Sequence, residues 1–174
     1  LCGCTVDKFS FDGLEYTINK GNFGTVTIIG ASNEISGDLI IPDSVTAISA
    51  RAFKGCKSIT SVTIPDDVQN IGIQTFDGCE NLETVVLPTN LQTIDYQAFN
   101  GCKKLKNITM PDSVTSIGFS TFGKCESLTS INIPEGITTI ESGVFAGCSG
   151  LTSVDIPQNV KIDPERKIPF RVVL

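Results

Sequence analysis

Residues 42–64 read P-D-S-V-T-A-I-S-A-R-A-F-K-G-C-K-S-I-T-S-V-T-I, and the same skeleton begins again at Pro65. Proline recurs at 42, 65, 88, 111, 134 and 157, phenylalanine at 53, 76, 99, 122 and 145, and cysteine at 56, 79, 102, 125 and 148. A fixed period of roughly 20–50 residues marks a stacked-repeat architecture. Each unit is then a short structural element whose apolar face is buried only against its neighbours. Five full units fill residues 42–156, which is 115 of the 174 residues, so the period decides the fold of most of the chain.

The apolar columns place the elements. Val62-x-Ile64 and its copies alternate with period two, are mostly β-branched, and end at a proline that has no N–H for a ladder. This predicts one short strand per unit. Successive units run in the same direction, so the strands pair in parallel. Val45-x-x-Ile48 and its copies read as a second short extended stretch. The x-A-F-x-G-C segment reads as a tight helical or 3₁₀ turn with Phe pointing inward, and Gly55, Gly78, Gly101 and Gly147 allow the bend. Unit four has Gly123-Lys124 where the others place x-Gly, which predicts a different turn there.

The ends depart from the period. Residues 9–41 read as capping strands: Phe11–Ile18 as one strand, Gly21-Asn22 as a turn, and Thr25–Ile29 as another strand. A stack needs such a cap because its open end exposes apolar surface and unpaired backbone. Residues 1–8 form a tail. Residues 157–174 begin a sixth unit at Val160-x-Ile162 that slips and is broken by Pro164 and Pro169. They read as a degenerate repeat, a C-terminal cap, or the point where a longer protein was cut.

Net charge is −6 and the isoelectric point about 4.6, which argues against nucleic acid as a partner. The chain has no histidine, so it has neither a His base nor a His metal ligand. No catalytic motif, cofactor or metal is expected. Asp43, Asp66, Asp112 and Glu135 form an acidic column of the kind that holds Ca²⁺, but Thr89 interrupts it, and Asp after Pro is a common turn residue. The five in-register cysteines point the same way and cannot easily meet with disulfide geometry, so they read as buried free thiols. Cys2 and Cys4 stand apart. Leu1-x-Gly3-Cys4 resembles a bacterial lipobox, which implies a lipid anchor at Cys4; the other reading is a tail with two incidental thiols.

Two surfaces are candidate partner sites. One is the outward face of the strands, expected on the concave side: Ser61 and Thr63, Thr84 and Val86, Asn107 and Thr109, Ser130 and Asn132, Ser153 and Asp155. It is flat, rich in hydroxyls, and suited to polar protein or glycan groups. Asn107-Ile108-Thr109 is also an N-glycosylation sequon. The second is an expected convex ridge, Ile73, Tyr96 and Phe119, in three consecutive units of a column that periodicity places outside the core. Contiguous exposed apolar surface marks a partner site.

The units L-T-S-V-T-I-P-D-D-V-x-x-I-G and A-F-x-G-C-x-x-L closely resemble BspA-type leucine-rich repeats of bacterial surface proteins. The opening F-D-G-L-E-Y-T-I, followed by G-T-V-T-I-I-G, resembles the N-terminal segment of that family. The likeness covers roughly residues 9–160. It implies an α/β fold leaning to β: a right-handed solenoid of 23-residue repeats with a parallel sheet on the concave face and short strands or 3₁₀ turns on the convex side. It also implies a secreted or cell-surface protein, associated with adhesion to host extracellular matrix or to other cells, in which membrane contact comes only through the anchor. The competing function is a structural spacer that binds nothing and projects other parts of an envelope protein.

Overall fold

The computed structural model describes residues 7–22 and 24–161, and the backbone of 171–173. The lipid-anchor reading of Cys4 and the proline-broken stretch after Ile162 therefore lie outside the described residues.

The chain opens with an antiparallel hairpin, β1 (Lys8–Phe11) and β2 (Leu14–Ile18). Asp12 and Gly13 join them, with φ of 50° and 77°. Both values are positive, as a two-residue primed turn requires, and Asp-Gly is a favoured pair for it. The expectation of one continuous strand over 11–18 is therefore corrected. The hairpin passes to β3 (Val26–Ala31), which pairs antiparallel with β2. The Asn19 side chain fastens the intervening turn, donating to Thr25 Oγ1 and Thr46 Oγ1 and accepting from Thr27 Oγ1.

Next come β4 (Gly37–Ile40), β5 (Val45–Ile48), β6 (Ile59–Thr63), β7 (Asn70–Ile71), β8 (Thr84–Val86) and β9 (Thr93–Ile94). They are followed by β10 (Asn107–Ile108), β11 (Ser116–Ile117), β12 (Ser130–Ile131), β13 (Ser153–Asp155) and β14 (Arg171–Val173). Each coil of the solenoid thus carries up to two short strands. One set, β4-β6-β8, β10-β12 and β13-β14, pairs in parallel along the predicted strand column. The other set, β7-β9-β11, does the same along the Val-x-x-Ile column, and β5 joins it to the cap by pairing with β3. In the repeats, partners stand 23 residues apart, for example Val62 opposite Val85 and Ile71 opposite Ile94, whereas β13 and β14 pair with Ser153 opposite Arg171.

Two expectations are revised. The strand face is not one continuous sheet: β8 lies beside β10, and β12 beside β13, without a paired register. Just past the paired β10–β12 segment, Asn132 continues that ladder with its side chain, accepting from Met110 N (2.9 Å) and donating to Met110 O (2.7 Å). The α part of the α/β expectation has no counterpart either, because no helix occurs among the described residues.

The turn layer shows why. The N–H groups of Ala52, Lys54 and Cys56 fold back to the carbonyls of Ser49, Arg51 and Phe53. Those of Arg51, Phe53 and Gly55 instead donate to Ile73, Thr75 and Asp77 of the next coil. A helix sends every N–H along its own axis; here alternate N–H groups leave the coil, so the turns form a third ladder. Alternation needs left-handed residues at two points. Arg51, Gln74, Gln97, Ser120 and Gly143 supply one, with φ of 52–69°. Gly55, Gly78, Gly101, Lys124 and Gly147 supply the other. Unit four thus keeps the common turn, with Lys124 bent to φ 58°, rather than adopting the different one expected.

Inside, Phe53, Phe76, Phe99 and Phe122 are fully buried and Phe145 is 4% exposed. Their rings form one spine with centroids 5.1, 5.3, 5.8 and 6.1 Å apart and planes within 7° of parallel. Isoleucine, leucine and valine columns pack around it.

Candidate functional site

The recurring cysteines are internal. All five are free and buried. Cys79, Cys102, Cys125 and Cys148 each donate Sγ–H to the carbonyl of the Phe one coil back, at 3.0–3.3 Å. Burial pushes the Cys148 thiol up to about 11 and that of Cys79 to about 12, with Cys56, Cys102 and Cys125 also raised. Such thiols stay protonated and unreactive. Sequence reading identified the burial but not the acceptor, since nothing in the spacing says that a carbonyl lies opposite.

The charged columns pair up coil to coil. Glu80 sits between Lys57 (2.9 Å) and Lys103 (3.2 Å), whose hydrogen bonds lower its pKa. Lys54 meets Asp77 and Lys106 meets Glu83. In the acidic column, Asp66 accepts from both the backbone N–H and the hydroxyl of Thr89, which lowers its pKa. That carboxylate is occupied by the residue that interrupts the column.

The strand face presents its outward side chains to solvent. Thr63, Thr84, Val86, Asn107, Thr109, Ser130, Asn132, Ser153 and Asp155 are exposed and Ser61 is half-buried. Asp38 Oδ1 accepts from both Thr60 and Ser61. Ile40, 76% exposed, extends the same column and was missed, although the Leu39-x-Ile41 alternation already points it outward. In the later coils the face sinks into a groove of about 710 Å³, lined by Asn107, Thr109, Ser130, Asn132, Glu135 and Asp155 together with Ile108, Ile131, Ile133, Ile156 and Pro157.

In the turn layer, Ile73, Tyr96 and Phe119 are 40%, 38% and 44% exposed, in adjacent coils. The rings of Tyr96 and Phe119 stack at 5.8 Å with 16° between planes. Glycine permits this approach: a Cβ on Gly118 would stand 2.5 Å from Tyr96 N. Beside the ridge runs a chain of side-chain hydrogen bonds, Arg51 Nε to Gln74 Oε1 (2.8 Å) and Gln74 Nε2 to Gln97 Oε1 (2.7 Å). These are the left-handed residues of the turn layer, held in line by the backbone alternation.

Comparison with known proteins agrees with this geometry. A family model described as the BspA type leucine rich repeat region matches residues 46–165 in six copies. Among solved structures, the T. pallidum leucine rich repeat protein is 29% identical with a TM-score of 0.77, over 86% of this chain and 72% of that one. A leucine-rich repeat protein from Bacteroides ovatus is 31% identical with a TM-score of 0.67, over 88% of this chain and 48% of that one. The pneumococcal vaccine antigen PcpA shares the fold at 21% identity, with a TM-score of 0.82 over 97% of this chain and 43% of that one. No curated protein matches. With the 23-residue period, the Phe spine and the paired ladders of the structure, the family match over most of its length makes this chain a member of the BspA-type leucine-rich repeat family.

Proposed function

We propose that this solenoid is a cell-surface or secreted binding module whose ridge, Ile73, Tyr96 and Phe119, engages a protein ligand of the host matrix or of another cell. The observation that carries the reading is the ridge itself: three large apolar side chains exposed in consecutive coils, two of them stacked rings. Binding energy concentrates in Tyr, Trp and Arg at such sites, and Tyr96, with Arg51 bonded to the Ile73 carbonyl at the start of the ridge, supplies that chemistry. The strand face, from Ser61 and Thr63 to Ser153 and Asp155, acts as a broader polar contact surface for protein or glycan groups. A right-handed coil with the strand face concave is the geometry we assign, supported by the near-universal right hand of parallel β crossovers. Surface display is supported by the lipobox-like Leu1-x-Gly3-Cys4.

The test is binding of the chain to immobilised matrix proteins and glycans. Losing the Tyr96 anchor costs about 2 kcal/mol, roughly 30-fold in affinity. Tyr96→Ala with Phe119→Ser should weaken binding by at least that much, and Thr84→Lys with Asn107→Lys by less. Binding that neither pair alters would remove both surfaces from consideration.

A further inference from the structure

The cap leaves one sheet edge open. Its four strands run in the order β1-β2-β3-β5, so β1 is outermost. The β1–β2 register fixes which backbone groups of β1 face outward. Phe11 stands opposite Leu14 across the two-residue turn, and Phe9 opposite Tyr16. Opposed residues in an antiparallel pair alternate between exchanging hydrogen bonds and not exchanging them. The Ile18 N–H donates to the Asp7 carbonyl at 2.9 Å, so the bonded positions of the first strand are 7, 9 and 11. The N–H and C=O groups of Lys8 and Ser10 therefore point away from β2, and among the described residues no strand meets them. Beside this edge lies apolar surface. Phe9 and Phe11 share a face with Leu14 and Tyr16 of the core, and Phe9 stacks on Tyr16 at 5.0 Å. Yet Phe9 is 41% and Phe11 70% exposed. Lys8 and Asp12 are exposed too, and neither has an ion-pair partner among the described residues.

An open edge with unpaired backbone is a template for another strand. One occupant answers the backbone, the rings and the charges together: the same strand of a second copy. Two β1 strands meeting antiparallel about a two-fold axis at Ser10 set Ser10 opposite Ser10, Phe9 opposite Phe11, and Lys8 opposite Asp12, with the last two pairs made twice. Ser10 carries outward-facing groups, so the central pair exchanges two backbone hydrogen bonds. The Phe9 and Phe11 rings of the two copies then form one aromatic cluster, and each lysine faces a carboxylate. The neighbouring registers lack this match: one sets Lys8 opposite Ser10, the other Ser10 opposite Asp12. A contact made by the same patch on both subunits is closed and does not grow into fibres. We propose that two copies of this chain join through β1, in the register centred on Ser10, into a two-fold dimer whose sheet runs unbroken from one cap into the other. A contact of one strand per copy is small, so the dimer dissociates on dilution. The proposal does not rest on any ligand of the ridge.

Sedimentation velocity of the 174-residue chain, run from micromolar to submillimolar concentration, should show a monomer that passes into a dimer. Ser10→Pro removes an N–H that faces away from β2, so the hairpin keeps its own bonds while the dimer should be lost. Lys8→Glu and Asp12→Lys should each weaken the dimer roughly tenfold or more, because each turns both charge pairs into like charges. Mixed together, these two variants should associate again, since every pair across the contact is then of opposite sign. Circular dichroism on each variant confirms that the solenoid is folded. Three results overturn the proposal: a monomer at every concentration, which means that the edge stays open or is covered by the chain's own residues; a dimer that Ser10→Pro and Lys8→Glu leave intact, which means that another face joins the copies; and no association in the mixture, which means that the register is wrong. Tyr96→Ala with Phe119→Ser should leave the dimer unchanged, so failure of this contact and failure of the ridge are told apart.

Discussion

Replacing Phe99 with alanine tests the stack at its centre. The ring is fully buried between Phe76 at 5.3 Å and Phe122 at 5.8 Å, with planes within 5° of both. Burial alone makes a Phe→Ala change cost about 3–5 kcal/mol, through lost transfer energy and the cavity left behind. Each aromatic pair adds about 0.5–1.5 kcal/mol beyond area, and Phe99→Ala breaks two. The cavity cannot collapse, because the neighbouring coils are fixed by backbone bonds: Phe99 N donates to Thr121 O and Phe76 N to Ala98 O. The expected loss is therefore at the upper end, about 5 kcal/mol. With a urea slope of about 2 kcal/mol/M, the midpoint moves down by roughly 2.5 M, which removes a third or more of the roughly 5–15 kcal/mol of ordinary domain stability.

Phe145→Ala is the matched control. Phe145 is 4% exposed and stacks on Phe122 at 6.1 Å, the widest gap in the spine. Phe145 lies in the last of the five full units, and in a linear stack a coil near the end can fray without taking the rest with it. The expected loss is about 2–3 kcal/mol, with a broadened transition. Equilibrium urea denaturation followed by circular dichroism measures both. A double-mutant cycle adds a second check: Phe99 and Phe122 should couple by about 0.5–1.5 kcal/mol, and Phe53 and Phe145 by nothing measurable. Equal losses at 99 and 145, or coupling between rings four coils apart, would refute the stacked spine.

Two further outcomes follow from the turn layer and the thiols. Lys124→Gly should stabilise the protein by about 0.5–1 kcal/mol, the relief of a left-handed side chain less the entropy glycine gains when unfolded; thermal melting measures it, and a lowered midpoint would contradict the strain. The thiols set a pH window. Their folded pKa values lie above the unfolded 9.0, at about 11 for Cys148 and about 12 for Cys79, so the folded state binds more protons once pH exceeds 9. Their contribution is fully present below 9 and is lost as pH rises towards 11–12. The urea midpoint should fall between about pH 8 and about pH 10.5, and fall less in Cys79→Ala than in the parent; an equal fall would show that Cys79 is not the titrating group.

The coils were legible because burial repeats in register. Phe, Cys and Ile columns with one period can satisfy a core only by lying over one another, and the structure places them so. What was not legible depends on the backbone. The turns look helical in sequence because A-F-x-G-C is short, apolar and glycine-containing. Only the alternation of N–H direction, with Arg51 and Gln74 at positive φ, separates a ladder from a helix. Neither residue type advertises that conformation. The hairpin at Asp12-Gly13 is legible, since Asp-Gly between alternating residues is a turn pair, and the structure places the turn there rather than one strand over 11–18. Asn132 could not have been foreseen: its column holds Thr63, Val86, Thr109 and Asp155, and only its amide can both donate and accept at Met110.

A repeated chain carries its own internal comparison. Inward columns keep one residue type from coil to coil because neighbours must fit, and this is why Phe99 and Cys102 say nothing about a ligand. Outward columns are free of that demand. The column Ala50, Ile73, Tyr96, Phe119, Ser142 begins and ends with small side chains and turns apolar in its three middle coils, where each side chain remains about two-fifths exposed. Packing does not require this, since the small residues at 50 and 142 occupy equivalent places in the same fold. Nor does solubility, which large exposed apolar groups oppose. Glycine at 118, where any Cβ would strike the Tyr96 backbone, brings the two rings together rather than hiding them. Departure from the repeat on the outside, at no gain to the inside, is the argument for the proposed ridge at Ile73, Tyr96 and Phe119.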